Sequence, residues 1–169
     1  MMSEGKGIDS KAIDAMSSVI RQYEKSGEIY INDFYFGSLG SPSNGTPLLQ
    51  IEPTGDRTLR LNVNTDIFSG RSLSEINDII LNSSLTLAKN LDEAIIHEYG
   101  NVKTVQGKTI AEIRELYNEL SQIHYTGISD IAESDGAECL AEIEILISRG
   151  ENISEDIMEF YNKYIKGEK

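Results

Sequence analysis

The stretch EAIIHEYGN, residues 93–101, decides the fold. Asn90 precedes it, and Asn90 with Glu93 has the spacing of a helix-opening capping box, so a helix is predicted over 91–103. On such a helix His97 and Asn101 are four residues apart and project from one face, with Glu98 beside His97 around the axis. Tyr99 points away from that face and is expected to pack. Gly100 lacks a side chain and is expected to admit another element close to the backbone, between positions 97 and 101.

Working outward, residues 10–25 carry Ile13, Met16, Ile20 and Tyr23 at helical spacing, with Gly27 just past the expected end. Residues 28–36 (EIYINDFYF) are aromatic and β-branched and read as a strand, followed by a loop by composition over 37–46. Leu48–Ile51 and Thr58–Val63 are further strands across the turn-like Pro53-Thr54-Gly55-Asp56. In the second, Leu59, Leu61 and Val63 alternate with Arg60 and Asn62, so one face is expected to be buried. Beyond residue 70 the pattern becomes helical. Ser72 with Glu75 and Thr109 with Glu112 repeat the capping-box spacing, and helices are predicted over 73–81, 110–123, 135–149 and 153–165. Strands first and helices after predict an α+β layout, as one domain over residues 1–169.

The net charge of −13 argues against a nucleic-acid surface, because phosphate contacts need clustered Lys and Arg. It argues equally against an anionic membrane surface. No apolar run approaches a membrane span, and the N-terminus lacks the charged-then-apolar pattern of a signal peptide, so a soluble chain is expected. Cys139 is the single cysteine, which excludes an intrachain disulfide framework and a multi-cysteine zinc ribbon. A small buried hydrophobe is its expected role. No glycine-rich phosphate loop precedes a helix, so nucleotide binding has no motif behind it.

The chemistry-bearing residues fall in two segments. His97-Glu98 followed by Asn101 has the geometry of the HExxH zinc motif, in which two histidines bind the metal and the Glu acts as general base on metal-bound water. Here the fifth position is Asn. The second segment, SDGAECLAE over 134–142, puts Glu138 and Glu142 one turn apart on a later helix. Alone, the first segment reads equally as a His-Glu pair on a surface helix, and the second as an ordinary acidic amphipathic helix.

Together the two segments resemble the HExGH…AExxAE arrangement of zincin metallopeptidases of the gluzincin kind, in particular the anthrax lethal factor catalytic domain. They are similar, too, to zincin domains appended to phage head-morphogenesis (minor capsid) proteins. The run RLNVNTDIF, 60–68, resembles the strand ahead of the active-site helix in those domains. The resemblance covers roughly residues 58–165. It implies a zincin-like fold with a small N-terminal sheet, an active-site helix and a C-terminal helical half. It further implies that His97 is the first zinc ligand, Glu98 the general base, Glu138 the third ligand and Glu142 the residue that orients His97 from behind.

Two departures count against activity. Asn101 stands at the second ligand position, where a neutral amide oxygen binds zinc far more weakly than imidazole. Ile131 stands seven residues before Glu138, where the lethal factor pattern has an oxyanion-assisting Tyr, and it cannot donate a hydrogen bond. His124 and Tyr125, between the two segments, are the residues that a folded-back loop would use to compensate. The cofactor expectation is therefore zinc, bound weakly or not at all. Three readings follow: a degenerate zincin-like module of phage or prophage origin that binds a protein or peptide partner, cytoplasmic or virion-associated; a working zinc metallopeptidase using His97, Glu98 and Glu138; and an unrelated α+β interaction domain.

Overall fold

The computed structural model of the chain describes residues 7–25, 30–40 and 46–167. The predicted helix stop at Gly27, positions 28–29 of the first predicted strand and 41–45 of the following loop lie outside the described residues. The architecture is α+β, with a small mixed sheet near the N-terminus followed by helices.

Helix α1, Ser10–Glu24, opens on Asp9, whose carboxylate accepts from the Lys11 N–H, and buries Ala12, Met16, Val19 and Ile20. Strands β1 (Asp33–Gly37), β2 (Leu49–Gly55) and β3 (Thr58–Asn64) form a sheet in the order β1-β3-β2. The central β3 runs parallel to β1 and antiparallel to β2. After it come α2 (Thr65–Phe68), α3 (Leu73–Leu81), α4 (Leu91–Val105), α5 (Ile110–Leu120), α6 (Asp130–Ser134), α7 (Gly136–Arg149) and α8 (Glu155–Tyr161), which runs into a π-helical turn over Asn162–Lys166.

Leu59, Leu61 and Val63 of β3 are buried as their alternation requires. Asn62 and Asn64 are buried as well, because each has a polar partner. The Asn62 amide donates to Glu52 on β2, and the Asn64 amide donates to the carbonyls of Gly40 and Pro47. β2 extends through Pro53 to Gly55, where a turn had been expected from residue 53. It is an edge strand, so the N–H that Pro53 lacks removes no ladder bond from a central position, and the register shifts between Pro53 and Gly55.

Two short helices, α2 and α6, have no counterpart among the predicted elements. Each is a single turn capped by its own Asn64 or Ser129 side chain, too short to show a periodic apolar pattern. α5 ends at Leu120, three residues early, where the fully buried Leu120 anchors the chain and the Ser121 hydroxyl bonds back to the Asn118 carbonyl. The reciprocal capping boxes at Ser72/Glu75 and Thr109/Glu112 form as predicted. The third forms by half. Asn90 accepts from the Glu93 N–H, but the Glu93 carboxylate bonds to the Lys89 N–H and to Arg149. The bidentate Arg149 guanidinium holds the carboxylate where it meets the Lys89 N–H instead of the Asn90 N–H.

Helix α4 packs on α7 through Gly100. A Cβ at position 100 would sit 2.5 Å from the Cα of Ala141, so only glycine lets the two helices come this close. That contact brings the 97–101 face of α4 against Glu138 and Glu142 of α7. Tyr99 points elsewhere, as expected. It is fully buried and stacks on Tyr23 of α1 with ring centroids 4.6 Å apart. Cys139 is fully buried, and burial pushes its thiol up to about 12.

Candidate functional site: a histidine held between two carboxyl groups

His97 lies between the two glutamates of α7. Its Nδ1 is 2.8 Å from Glu142 Oε1, and its Nε2 is 3.0 Å from Glu138 Oε2. Glu142 is fully buried, and its other oxygen accepts from the Leu87 N–H at 2.6 Å. Arg149 grips the same residue from the other side, donating to the Leu87 carbonyl at 2.7 Å while pairing with Glu93. The segment between α3 and α4 is thus tied to the back of the histidine. Glu98 is buried beside it, and its Oε2 accepts from the Ile51 N–H of the edge strand β2.

Burial disfavours charge on His97, but the bonds to Glu138 and Glu142, with the Glu98 charge nearby, outweigh it and raise its pKa to about 10. Burial and the Glu138 charge raise Glu98 to about 7, opposed by His97, the Ile51 N–H and Asn101. At neutral pH the imidazole is a cation that spans two carboxyl groups.

These shifts set a pH dependence. His97 favours the folded state fully below its ordinary 6.5, and that contribution is lost as pH rises toward about 10. Glu98 acts in the same direction between 4.5 and about 7. Glu93, held below its ordinary range by Arg149, contributes stability that disappears in acid. The melting temperature is therefore expected to peak at about pH 5 and to fall toward pH 10. In His97→Gln the decline above pH 7 should flatten; a decline unchanged from the parent protein would contradict this assignment.

The cluster forms the floor of a cleft of about 1040 Å³. His97, Glu98, Asn101 and Glu138 line it, with Leu48–Ile51 of the edge strand region on one side and Leu85 and Ile131 on another. Ile131 thus stands on the cleft wall, its N–H bonded to the Leu85 carbonyl. The expected compensators lie elsewhere. His124 is exposed and donates from Nδ1 to the Glu133 carbonyl, and Tyr125 packs on Phe160 at 4.7 Å. The chain leaving α5 turns toward α6 and α8, which carries both side chains away from the cleft. Tyr117, Asn118 and Asp135 line it instead. Tyr117 follows Ile113 at helical spacing and reads in sequence as one more core position, so no local signal marks it.

The donor set fits zinc poorly. His97 and Glu138 offer two strong donors on the cleft side, Asn101 a weak third, and a zinc site needs three protein ligands at least. Among the described residues no group of three or more His, Cys, Asp or Glu side chains is placed to hold a metal ion. Nor is any helix among them long and apolar enough to cross a membrane.

No protein-family model matches this chain, and neither does any curated protein or solved structure. The class that fold and site define is an α+β chain with a buried carboxyl–imidazole–carboxyl cluster under an open cleft.

Proposed function

We propose that this chain is a zincin-like module that binds a protein or peptide segment in the cleft over His97 without cleaving it. The observation that carries the reading is that both ring nitrogens of His97 are engaged by the protein's own carboxyl groups while Asn101 stands at the second ligand position. In this reading a proton on His97 supplies, between Glu138 and Glu142, the positive charge that a metal supplies in the zincin pattern. A chance likeness would leave Glu138 and His97 more than ~10 Å apart, too far to share an ion. Their separation of 3.0 Å supports descent from such a site. The phage or prophage setting, with a role in head or minor capsid assembly, rests on the sequence resemblance.

One observation favours a second reading, an active zinc peptidase. Glu98, at about 7, lines the cleft with the titration range of a general base. Metal analysis and a peptide-library digest separate the two. The binding reading expects no stoichiometric zinc and no cleavage. Stoichiometric zinc with cleavage abolished by Glu98→Gln would overturn it.

Asn101→His tests the descent independently of present activity. It adds a third strong donor on the cleft face of α4, and at pH 8 zinc at a hundredfold excess over its Kd should raise Tm by about 5–10 °C. No shift in this variant would sink the zincin-like assignment.

A further inference from the structure

We infer that the cleft selects a peptide segment presenting a basic side chain to Asp135 and Glu138, flanked by aliphatic residues against its walls. This inference rests on the binding reading above and adds the chemistry of the partner.

The cleft is unbalanced in charge. Glu98, Asp135 and Glu138 line it, whereas among the described residues its lining contains neither lysine nor arginine. His97, the one basic side chain among the described lining residues, already has both ring nitrogens engaged. Nearby cations are committed elsewhere: Arg149 to Glu93, and Lys103 to Glu144 at 2.6 Å. His97 offsets part of the charge on Glu138, and no lysine or arginine among the described lining residues pairs with Asp135.

Two of those acids retain acceptor capacity. Glu138 uses Oε2 for His97, and its side chain is 31% exposed. Asp135 uses Oδ1 to cap α7, accepting from the N–H groups of Ala137 and Glu138. Glu138 Oε1 and Asp135 Oδ2 have no donor among the described residues. Tyr117 lines the same cleft, and burial with the charges of Glu138, Asp135 and Glu98 pushes its phenol up to about 12. An aromatic wall next to carboxylates is a favourable setting for an ammonium or guanidinium group.

The rest of the lining is aliphatic, including Ile51, Leu85 and Ile131. The volume of about 1040 Å³ is at the upper end of small-ligand pockets, which span ~300–1,000 Å³. The space suits several consecutive side chains better than a lone ion. Acidic floor and apolar wall together complement a basic residue with aliphatic neighbours.

The test uses the whole chain and fluorescent peptide pools whose central residue is fixed as lysine, norleucine or glutamate, read by anisotropy. The lysine pool is expected to bind about tenfold more tightly than the norleucine pool, the gain from a charge-assisted hydrogen bond. Glu138→Gln and Asp135→Asn should each reduce that preference several-fold. Both are near-isosteric, and asparagine still caps a helix. Glu155→Gln, exposed on α8, should leave it unchanged. Equal binding of the lysine and norleucine pools, or tighter binding of the glutamate pool, overturns this inference and leaves the binding reading standing. A lysine preference that survives both cleft substitutions places the cation elsewhere and overturns the assignment. If no pool binds the folded chain, both readings fall.

Discussion

Glu142→Ala is expected to cost about 3–5 kcal/mol of folding stability, the penalty for leaving a buried charge without its partner. Glu142 is fully buried and serves two donors at once, His97 Nδ1 and the Leu87 N–H. Alanine leaves the imidazolium with Glu138 alone and the Leu87 amide with no acceptor, and it opens a cavity between α4 and α7. For a chain of this size the fall in Tm should be on the order of 10 °C. Hydrogen exchange at the Leu87 amide should accelerate, because its partner is gone while Arg149 still holds its carbonyl. Glu142→Gln keeps the volume and one acceptor, so it should fall between the two. A loss under ~1 kcal/mol in Glu142→Ala, measured by urea unfolding, would show that this bridge does not brace the site, since that is the scale of one ordinary hydrogen bond.

Gly100→Ala is expected to destabilise although alanine is the better helix former by about 1 kcal/mol. The added Cβ would meet the Ala141 Cα at 2.5 Å and the Glu144 Cγ at 3.1 Å. The first of these is backbone and cannot rotate away, so the helices must move apart. Overpacking of this kind costs about 1–3 kcal/mol, and a backbone obstacle places the variant at the upper end. Because α4 and α7 carry the two halves of the site, their separation should also stretch the His97–Glu138 contact and weaken peptide binding. Adding Ala141→Gly should not rescue the variant, since removing a Cβ leaves the obstructing Cα in place. Rescue by that second substitution, read as a restored Tm, would contradict the observed approach.

Much of this was legible before any coordinates. Ser72/Glu75 and Thr109/Glu112 announced helix starts because a capping box is a contact between residues three apart, written wholly in local sequence. The resemblance of segments 93–101 and 134–142 to the zincin pattern named His97, Glu98, Glu138 and Glu142 as candidates, while helical periodicity fixed only that His97 with Asn101, and Glu138 with Glu142, share a face. Tyr99 and Cys139 were read correctly as packing residues for the same reason. Where a local reading met a distant competitor it failed. Glu93 left its capping box for Arg149, 56 residues away. His124 and Tyr125 were plausible compensators only while the path of the chain after α5 was unknown.

The sequence by itself determined the α+β layout and the helix starts, since these depend on periodicity and contacts within a turn, and its resemblance to the zincin pattern marked which residues were eligible for the site. Tertiary structure alone decided how those residues are joined. That both nitrogens of His97 are held by carboxyl groups, that Leu87 and Arg149 lock Glu142 from behind, and that Tyr117 and Asp135 complete the cleft all follow from the close approach of α4 and α7 at Gly100. Such contacts join residues tens of positions apart; the bonds to Glu138 and Glu142 keep His97 charged against its burial, and burial raises Glu98. The segment EAIIHEYGN carries its meaning only against α7.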